Sequence, residues 1–268
     1  MHNSKIVLIT GATSGIGKAT ALLLTQEGYK VYGTARNVTN VELPFKLLQM
    51  DVRDDESIKR AVAVILSEEG KIDVLINNAG VGITGSVEEL STQALHNVFA
   101  TNFYGAIAVM RAVLAPMRAQ KSGLIINVTS IAGYMGLPFR GAYSASKGAL
   151  MLLSEALRME VKSFGIEVTT IAPGDYATNI ASRRYHEPVR ENSAYAENYQ
   201  KSLDLMNSHV NSGGDPTEMA QKLYQIINVR HPKVHYKQGS FLQRFSVVLK
   251  SILPGKWYEK MLMKHYQL

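Results

Sequence analysis

The stretch IVLITGATSGIG, residues 6–17, decides the fold of this chain. Five apolar or β-branched residues precede a glycine-rich turn, and an amphipathic segment follows, which predicts a strand, a tight turn and a helix. Glycines in such a turn let the backbone approach a pyrophosphate closely, and the helix N-terminus directs its amides at the phosphates. The stretch predicts a dinucleotide-binding unit, with a glycine turn that binds nothing as the plain alternative.

The rest of the chain repeats this alternation of short apolar runs and longer amphipathic stretches, which is typical of a parallel sheet covered on both faces. Strands are predicted near 5–10, 30–35, 46–50, 72–76, 123–129, 166–171 and 233–236. Helices are predicted near 15–28, 55–68, 87–117, 143–163 and 216–228, the third being either two helices or one that bends. We expect an α/β fold: a Rossmann-type doubly wound parallel sheet of about seven strands in a single domain.

Composition excludes several classes of function. The chain has 268 residues, enough for one large α/β domain, and no cysteine, which rules out disulfides, thiolate metal sites and cysteine nucleophiles. It shows neither a signal-peptide pattern nor 18 consecutive apolar residues. We expect a cytoplasmic protein, with a location peripheral to a membrane as the alternative.

The positive charge lies at one end of the chain. The formal net charge is +7, and residues 230–268 contain eight Lys or Arg against one acid, Glu259, so the preceding part is neutral. A nucleic-acid binder would combine a basic surface with a recognition motif, and no such motif is present. We therefore expect no nucleic-acid partner.

Three further motifs follow predicted strands. Asn77-Asn78-Ala79-Gly80 follows the fourth strand, and Ser130 follows the fifth. Tyr143 and Lys147 are four residues apart, so on a helix they share one face. A neighbouring ammonium stabilises the phenolate form of a tyrosine, which suits it to proton transfer.

In order and spacing, these motifs over residues 5–235 resemble the short-chain dehydrogenase/reductase family, and in particular its steroid- and retinoid-dehydrogenase-like branch. The resemblance implies that Tyr143 exchanges a proton with the substrate oxygen and that Lys147 assists it and holds the nicotinamide ribose. It implies that Ser130 polarises the carbonyl and that Asn102 supports a water-linked proton relay. Taken singly, Ser130 is better explained as a turn cap and Asn102 as a buried bridge between helices.

The same resemblance implies a cofactor site and no metal site. Its implied cofactor-binding residues are Gly11, Thr13, Ser14, Gly15, Ile16, Gly17, Arg36, Asp51, Val52, Asn78, Ala79, Gly80, Tyr143, Lys147, Pro173, Gly174 and Thr178. Two of these segments have plain alternatives, since Asn78 could be a polar strand end and Pro173-Gly174 a simple turn.

The end of the second strand bears on cofactor choice. An acidic residue there would bind the ribose hydroxyls of NAD, but the chain has Ala35 followed by Arg36, a cation suited to a 2′-phosphate. The sequence predicts NADP(H), with Arg36 as an ordinary surface residue as the alternative.

Two segments indicate a hydrophobic alcohol, ketone or aldehyde as substrate. Residues 134–139 are apolar and lie between Ser130 and Tyr143, although they are equally compatible with ordinary packing. Residues 175–214 form a long polar insertion, and long connections inside compact domains are commonly functional lids.

The chain end is treated as an extension, residues 238–268, of a dinucleotide-binding and catalytic domain, residues 1–237. It carries a basic amphipathic helical pattern that Pro254-Gly255 interrupts. One interpretation is a helix pair that covers the substrate cleft; the other is a segment that binds anionic membrane. The extension lacks the terminal Asp-Gly-Gly strand of tetrameric acyl-carrier-protein reductases, which favours a homodimer through the 87–117 and 143–163 helices, or a monomer.

The sequence therefore predicts an NADP(H)-dependent oxidoreductase that interconverts a carbonyl and an alcohol. The alternative is a catalytically silent NADPH-binding sensor or membrane-associated scaffold with the same fold, because fold does not fix function.

Overall fold

The computed structural model describes residues 4–39, 42–176, 184–190, 192–211 and 213–268. Its strands are β1 (Ile6–Thr10), β2 (Lys30–Ala35), β3 (Lys46–Gln49), β4 (Val74–Asn77), β5 (Ile83–Thr84), β6 (Gly123–Val128), β7 (Ile166–Pro173), β8 (Tyr185–His186) and β9 (His235–Gln238). Seven of them form one parallel sheet in the order β3-β2-β1-β4-β6-β7-β9. The predicted Rossmann-type sheet of seven strands in a single domain is confirmed.

The helices are α1 (Gly15–Gln26), α2 (Asp55–Glu69), α3 (Thr92–Phe99), α4 (Ala106–Ala119), α5 (Gly141–Val161), α6 (Ala196–Asn211), α7 (Pro216–Ile227), α8 (Phe241–Ile252) and α9 (Gly255–Tyr266). They cover both faces of the sheet, and each face has its own apolar core. One core joins Leu8, Leu75 and Ile125 to α2 and α4, while the other joins Ile9 and Ile76 to α1 and α7.

Several predicted boundaries are wrong by two to five residues, and two of them have a clear local cause. The fourth strand begins at Val74 instead of residue 72, because the Asp73 side chain accepts a hydrogen bond from the Ile6 amide (2.7 Å) just before the β1–β4 ladder begins. The third predicted helix begins at Thr92 instead of residue 87, because the Ser91 side chain caps it by accepting from the Ala94 amide (3.2 Å). The start of α7 is as the sequence indicates, with the Asp215 side chain accepting from the Thr217 amide.

The third predicted helix is one continuous helical run. A π-helical segment, Ala100–Gly105, joins α3 to α4, and it carries the buried side chain of Asn102. Short π-helical segments occur preferentially at functional sites because they change the direction of side chains within a helix.

The helical run Thr92–Ala119 is, within the described ranges, long and apolar enough to cross a membrane by length and composition alone. The sequence criterion of 18 consecutive apolar residues does not detect it. Its inner face supplies Val109, Met110, Val113 and Met117 to the core beneath the sheet. One helix of this kind is weak evidence for a membrane span, because core helices of other proteins satisfy the same length and composition test.

The sheet places the predicted motifs along a single edge. Thr10, Asn77, Val128 and Pro173 are the last residues of four neighbouring parallel strands. In open parallel sheets, ligands bind outside the carboxyl ends of the strands, where the strand order reverses. Here the order reverses between β1 and β4, so the glycine turn and the Asn77–Gly80 segment meet at that point.

Candidate active site

The glycine turn is held by side-chain bonds from the next strand. The Thr10 hydroxyl oxygen accepts from the backbone amides of Asn78 (3.0 Å) and Ala79 (2.9 Å). The Asn78 side-chain amide donates to the carbonyls of Thr10 (2.9 Å) and Gly11 (3.2 Å). Asn78 and Ala79 thus fix the shape of the turn. The plain alternative, that Asn78 is only a polar strand end, does not account for these hydrogen bonds.

Glycine is required in the turn by geometry. Gly11 has a φ of 69°, in the region that favours glycine. A Cβ atom on Gly17 would lie 2.3 Å from the Gly11 carbonyl oxygen and 2.5 Å from the Asn78 side-chain nitrogen. The first turn of α1 therefore packs directly on the glycine turn, and its N-terminal amides face the space beyond it. This cradle fits a dinucleotide pyrophosphate, which Thr13, Ser14, Gly15 and Ile16 would border.

The end of β2 and the segment after β3 form the second part of the cofactor region. Arg36 is exposed, and its charge acts on Asp51, close to the buried Val52. The Arg53 side chain donates to the Asp51 carboxylate (2.8 Å), and this hydrogen bond, followed by the charges of Arg53 and Arg36, lowers the pKa of Asp51. Arg36 and Arg53 thus place two positive charges beside Asp51.

Lys147 lies at the centre of the catalytic group. It is almost fully buried, and its Nζ atom donates to the Val128 carbonyl (2.9 Å). Burial lowers the pKa of Lys147 to about 8. An ammonium carries three donors, of which this bond uses one.

Asn102 and Lys147 converge on Gly80. A Cβ atom there would lie 3.2 Å from Asn102 Oδ1 and 3.3 Å from Lys147 Nζ. Asn102 Oδ1 accepts from the Val81 amide (2.8 Å), and its Nδ2 donates to the Val81 carbonyl (3.0 Å) and to Ser146 Oγ (3.1 Å). Asn102 is therefore a buried bridge from the π-helical segment to α5, and it also adjoins the lysine.

Ser130 and Tyr143 both line a small cleft, which Ile16, Pro173 and Gly174 also line. The Ser130 oxygen accepts from the Ala132 amide (3.1 Å) and so caps a short 3-10 helix, Ile131–Tyr134. The cap uses an acceptor lone pair, so the Ser130 O–H can still be donated into the cleft. Capping and the predicted role are compatible.

A large apolar cavity adjoins this cleft. Its volume is about 760 Å³, and it shares Ser130, Arg140 and Gly174 with the cleft. Met135 and Leu137 from the predicted substrate segment line it, as does Met206 from α6. Residues of this size and character can enclose an extended apolar molecule next to Tyr143.

Both helices of the C-terminal extension line the same cavity. Leu242, Phe245 and Leu249 contribute from α8, and Met261 and Tyr266 contribute from α9. The start of α8 is anchored by Gln243, which completes a capping box with Ser240 and donates to Asp175 (2.8 Å). Both helices thus contribute side chains to the cavity wall.

The structure brings together nearly all predicted site residues. Thr178 is the exception, since it lies outside the described residues. Sequence reasoning missed Arg140, Arg184 and Gln243. Only Gln243 had a local signal, the Ser-x-x-Gln pattern of a capping box. Within the described ranges no group of three or more His, Asp or Glu side chains is arranged to hold a metal.

Comparison with known proteins identifies the family. Residues 5–188 match the family described as short chain dehydrogenase, and the chain belongs to this family. It is 38% identical over 265 residues to a 3-ketodihydrosphingosine reductase of Bacteroides thetaiotaomicron, covering 98% of both chains. It is 35% identical over 193 residues to retinol dehydrogenase 8 of Homo sapiens, covering 67% of this chain and 61% of that one. A short-chain dehydrogenase from Streptomyces avermitilis superposes with a TM-score of 0.82 at 32% identity, covering 96% of this chain and 97% of that one.

These likenesses establish the broad class. The chain is an oxidoreductase with a fold that takes a nicotinamide dinucleotide, NAD(H) or NADP(H), and a small-molecule substrate. The likeness to the steroid/retinoid-dehydrogenase branch is confirmed. The alternative of a silent sensor or scaffold is not favoured. Cytoplasmic localisation and the homodimer stay predictions.

The burial of Lys147 predicts how the free energy of unfolding depends on pH. The pKa of Lys147 is about 8 in the folded protein and about 10.4 in an unfolded chain. Between these pH values the unfolded chain binds more protons, so the contribution of Lys147 to stability rises with pH, whereas below pH 8 its burial opposes folding in full. The stability of Lys147→Met relative to the unsubstituted protein should therefore fall by about 2 kcal/mol from pH 7 to pH 10. Urea unfolding at each pH measures this difference.

The exposed Lys162 supplies the control, and Lys162→Met should follow the unsubstituted protein at every pH. Parallel stability curves for Lys147→Met and the unsubstituted protein would show that the ammonium is not desolvated in the folded state.

Proposed function

We propose that this chain is an NADP(H)-dependent oxidoreductase that interconverts a carbonyl and an alcohol on a hydrophobic substrate. The observation that carries the proposal is the position of Ser130, which lines both the cleft with Tyr143 and the apolar cavity of about 760 Å³. A substrate lying in the cavity can present its oxygen to Ser130 and Tyr143 together. The name of the Bacteroides relative supports a long-chain substrate.

Proton transfer is the task of Tyr143. Its hydroxyl gives a proton to the carbonyl oxygen in reduction and takes one from the alcohol in oxidation, as a general acid or base. Ser130 donates a hydrogen bond to the same oxygen, which stabilises the negative charge that develops there. The bound dinucleotide supplies or accepts the hydride; the chain supplies position and electrostatics.

Lys147 and Asn102 support this proton transfer. The Lys147 ammonium lies one turn beyond Tyr143 on α5 and offers its remaining donors to the nicotinamide ribose. Asn102 positions the segment Gly80–Val81 opposite Lys147 through its two bonds to Val81. A water held between Lys147 and this segment would carry protons from solvent to the lysine.

The cofactor is held by the segments at the carboxyl edge of the sheet. The glycine turn with Asn78, Ala79 and Gly80 takes the pyrophosphate and the nicotinamide ribose, and Asp51 and Val52 border the adenine. Pro173, Gly174 and Thr178 would contact the carboxamide. Arg36 would take the 2′-phosphate, and this assignment is what makes the proposed cofactor NADP(H) instead of NAD(H).

We assign the insertion and the extension to the substrate. The insertion, residues 175–214, is assigned as a lid over the cleft. Its residues 177–183, 191 and 212 lie outside the described residues, and Met206 in the cavity wall supports the role. Residues 238–268 form an appendage to the catalytic domain, residues 1–237, and close the cavity from the other side. The exposed apolar side chains of Tyr104, Leu152 and Met159 on the π-helical segment and α5 support a homodimer through those helices.

Removal of the Tyr143 hydroxyl tests the mechanism. Tyr143→Phe should lower kcat/KM for ketone reduction by roughly 100-fold or more, because general acid–base catalysis contributes at least that factor. Its NADPH affinity should stay within about twofold, measured by fluorescence titration. The exposed Tyr104 supplies the control, and Tyr104→Phe should keep full turnover. Normal turnover by Tyr143→Phe would contradict the mechanism.

A substitution at Arg36 tests cofactor choice. Arg36→Ala should lower kcat/KM for NADPH by roughly 10- to 100-fold and leave that for NADH nearly unchanged, because only the former loses a charge-assisted phosphate contact. The measurement is initial rates with either nucleotide. Arg60→Ala, on the exposed face of α2, is the charge-matched control. An equal loss with NADPH and NADH would show that Arg36 does not discriminate between them.

A second feature concerns contact with a membrane. α8 and α9 expose Phe241, Leu242, Ile252 and Trp257, and the chain end from residue 230 carries eight basic residues against one acid. Leu242 also lines the cavity, so the exposed apolar face reaches its mouth. This combination favours an anionic bilayer as a reservoir for apolar substrate.

Vesicle binding tests this contact, and Trp257, the only tryptophan of the chain, reports on it. We expect co-sedimentation with phosphatidylglycerol vesicles at low salt, a blue shift of the Trp257 emission, and release at high salt as charges are screened. Leu242→Asp should weaken binding by roughly tenfold, whereas Val87→Asp, exposed elsewhere, should not. Absence of binding at low salt would end the membrane assignment.

A further inference from the structure

Two arginines stand side by side at the reacting end of the site. Arg140 and Arg184 both line the small cleft with Tyr143, and Arg140 also lines the apolar cavity. The Arg140 guanidinium lies 5.2 Å from the centre of the Tyr143 ring. Neither arginine belongs to the proposed proton-transfer group. Arg140 lies at the junction between the cleft and the cavity, and Arg184 lines the cleft alone.

Arg184 is buried and incompletely bonded. Its residue exposure is 8%, yet its Nη1 atom has no hydrogen-bond partner in the part of the chain that the structure describes. A buried polar group without a partner costs stability, and the cost is larger when the group is charged. Burial, and then the charge of Arg140, lower the pKa of Arg184. Its surroundings therefore favour an anion as partner.

The backbone holds Arg184 in this position. The next residue, Tyr185, begins β8, and its amide donates to the Gly82 carbonyl (3.0 Å) in a short parallel pairing with β5. The Arg184 side chain packs over Gly82, where a Cβ atom would lie 3.0 Å from Arg184 Cγ. The guanidinium is thus directed into the cleft by two fixed contacts.

Arg140 is held at some conformational cost. It precedes α5, and the residue before it, Phe139, has a φ of 55°, which side chains other than glycine seldom adopt. The Phe139 carbonyl accepts from the Gly85 amide (3.0 Å), which maintains this conformation. The hydroxyl of the buried Tyr266 lies within hydrogen-bonding reach of Arg140. A strained backbone thus brings the second guanidinium next to Tyr143.

The side chains that line the small cleft carry a net positive charge. Asp175 is the acid that lines this cleft, and its carboxylate already accepts from Gln243. Glu218 lines the cavity but not the cleft. Two guanidinium groups beside one carboxylate leave an excess of about one positive charge next to the reacting oxygen.

We propose that Arg140 and Arg184 form an oxyanion-binding subsite for the substrate. On the proposed function, on which this inference rests, the preferred ketone carries a carboxylate or a phosphate within a few bonds of its carbonyl and an apolar chain that fills the cavity. Planar guanidinium groups suit both anions because they donate in parallel pairs. The same charge disfavours an ammonium next to the carbonyl, so the substrate of this chain would share the long apolar chain of a 3-ketodihydrosphingosine but not its amino group.

Besides an anionic group on the substrate, the phosphates of the cofactor are the second anion that Arg140 and Arg184 could bind. Their proposed positions are the glycine turn, the α1 N-terminus and Arg36, whereas Tyr143 marks the opposite, reacting end. Ile16 is the one residue of the glycine turn that lines the cleft. The geometry therefore favours the substrate as the source, and the experiment separates the two.

The test measures binding without turnover. Octyl phosphate, octanoate, 1-octanol and octylamine are titrated by calorimetry into the protein saturated with NADP⁺. We expect both anions to bind at least roughly tenfold more tightly than 1-octanol, since a charge-assisted bond contributes about 1.5 kcal/mol or more. Octylamine should bind most weakly. Arg184→Gln should remove the preference for anions, and Arg184→Lys should keep part of it.

The control removes a positive charge near the cavity but outside its lining. Arg244→Gln, on the exposed side of α8, should retain the full preference for anions. Equal affinity of the unsubstituted protein for octyl phosphate and 1-octanol would overturn the proposal. A weaker NADPH affinity in Arg184→Gln, with the ratio among the alkyl ligands unchanged, would assign the arginine to the cofactor and would also overturn it.

A turnover measurement separates this proposal from the proposed function. Chain-matched ketones with a phosphate, a methyl or an ammonium near the carbonyl are compared, and the phosphate-to-methyl ratio of kcat/KM should fall roughly tenfold in Arg184→Gln. Anion-selective binding without reduction of any of these ketones would reject the proposed reaction and leave the subsite supported. Reduction with no difference among them would support the reaction and reject the subsite.

Discussion

The site depends on one buried ammonium. Lys147 is nearly inaccessible, and its described hydrogen bond goes to a backbone carbonyl at the end of β6, not to a carboxylate. A cation in such surroundings loses much of its hydration without the compensation of an ion pair, which is why burial lowers its pKa to about 8. On the proposed function the charge is nevertheless needed one turn beyond Tyr143, where α5 holds it. The neighbouring structure therefore has to hold Lys147 where unconstrained folding would not place it.

Several features provide that constraint. α5 places Lys147 one turn beyond Tyr143, and the π-helical segment brings Asn102 to the opposite side of Gly80. Ser146, between the two on α5, accepts from Asn102 and donates to the Tyr143 carbonyl (2.8 Å). Three elements are thus joined around the lysine by buried hydrogen bonds. A polar network of this kind is rigid because leaving any member without a partner is costly.

The sequence predicts the parts of this arrangement that depend on local pattern. The seven strands follow from short apolar runs, and the glycine turn follows from residue types that a close backbone approach requires. The Tyr143–Lys147 pair follows from helical periodicity. Ser130 and Asn102 are not distinguishable from a cap and a bridge by pattern alone, and the structure shows that they are indeed a cap and a bridge. For both residues, the structural role and the proposed catalytic role involve the same side chain and are compatible.

What the sequence does not predict depends on contacts between distant residues. Arg184 reaches Tyr143 only because a two-residue strand pairs with Ile83–Thr84, a pairing too short to leave a pattern. Arg140 depends on a left-handed Phe139, for which the residue type gives no signal. The sequence also gives no signal for the π-helical segment, because its residues are compatible with an ordinary α-helix. Arg184 and Arg140 line the cleft, and the π-helical segment adjoins Lys147 across Gly80. At all three places tertiary contacts override local preference.

The C-terminal extension connects the charge of the cleft to the shape of the cavity. Tyr266, near the end of the chain, reaches Arg140, and Gln243 at the start of α8 holds Asp175. The two ends of the helix pair therefore contact one of the two cleft arginines and the acid that opposes them. A Cβ atom on Gly174 would lie 2.0 Å from the Gln243 side chain, so the loop after β7 and the extension are in direct contact. The helix pair α8–α9 therefore supplies apolar lining to the cavity and also contacts the charged side chains beside Tyr143. On the proposed function, packing of this helix pair and recognition of the polar end of the substrate depend on the same contacts.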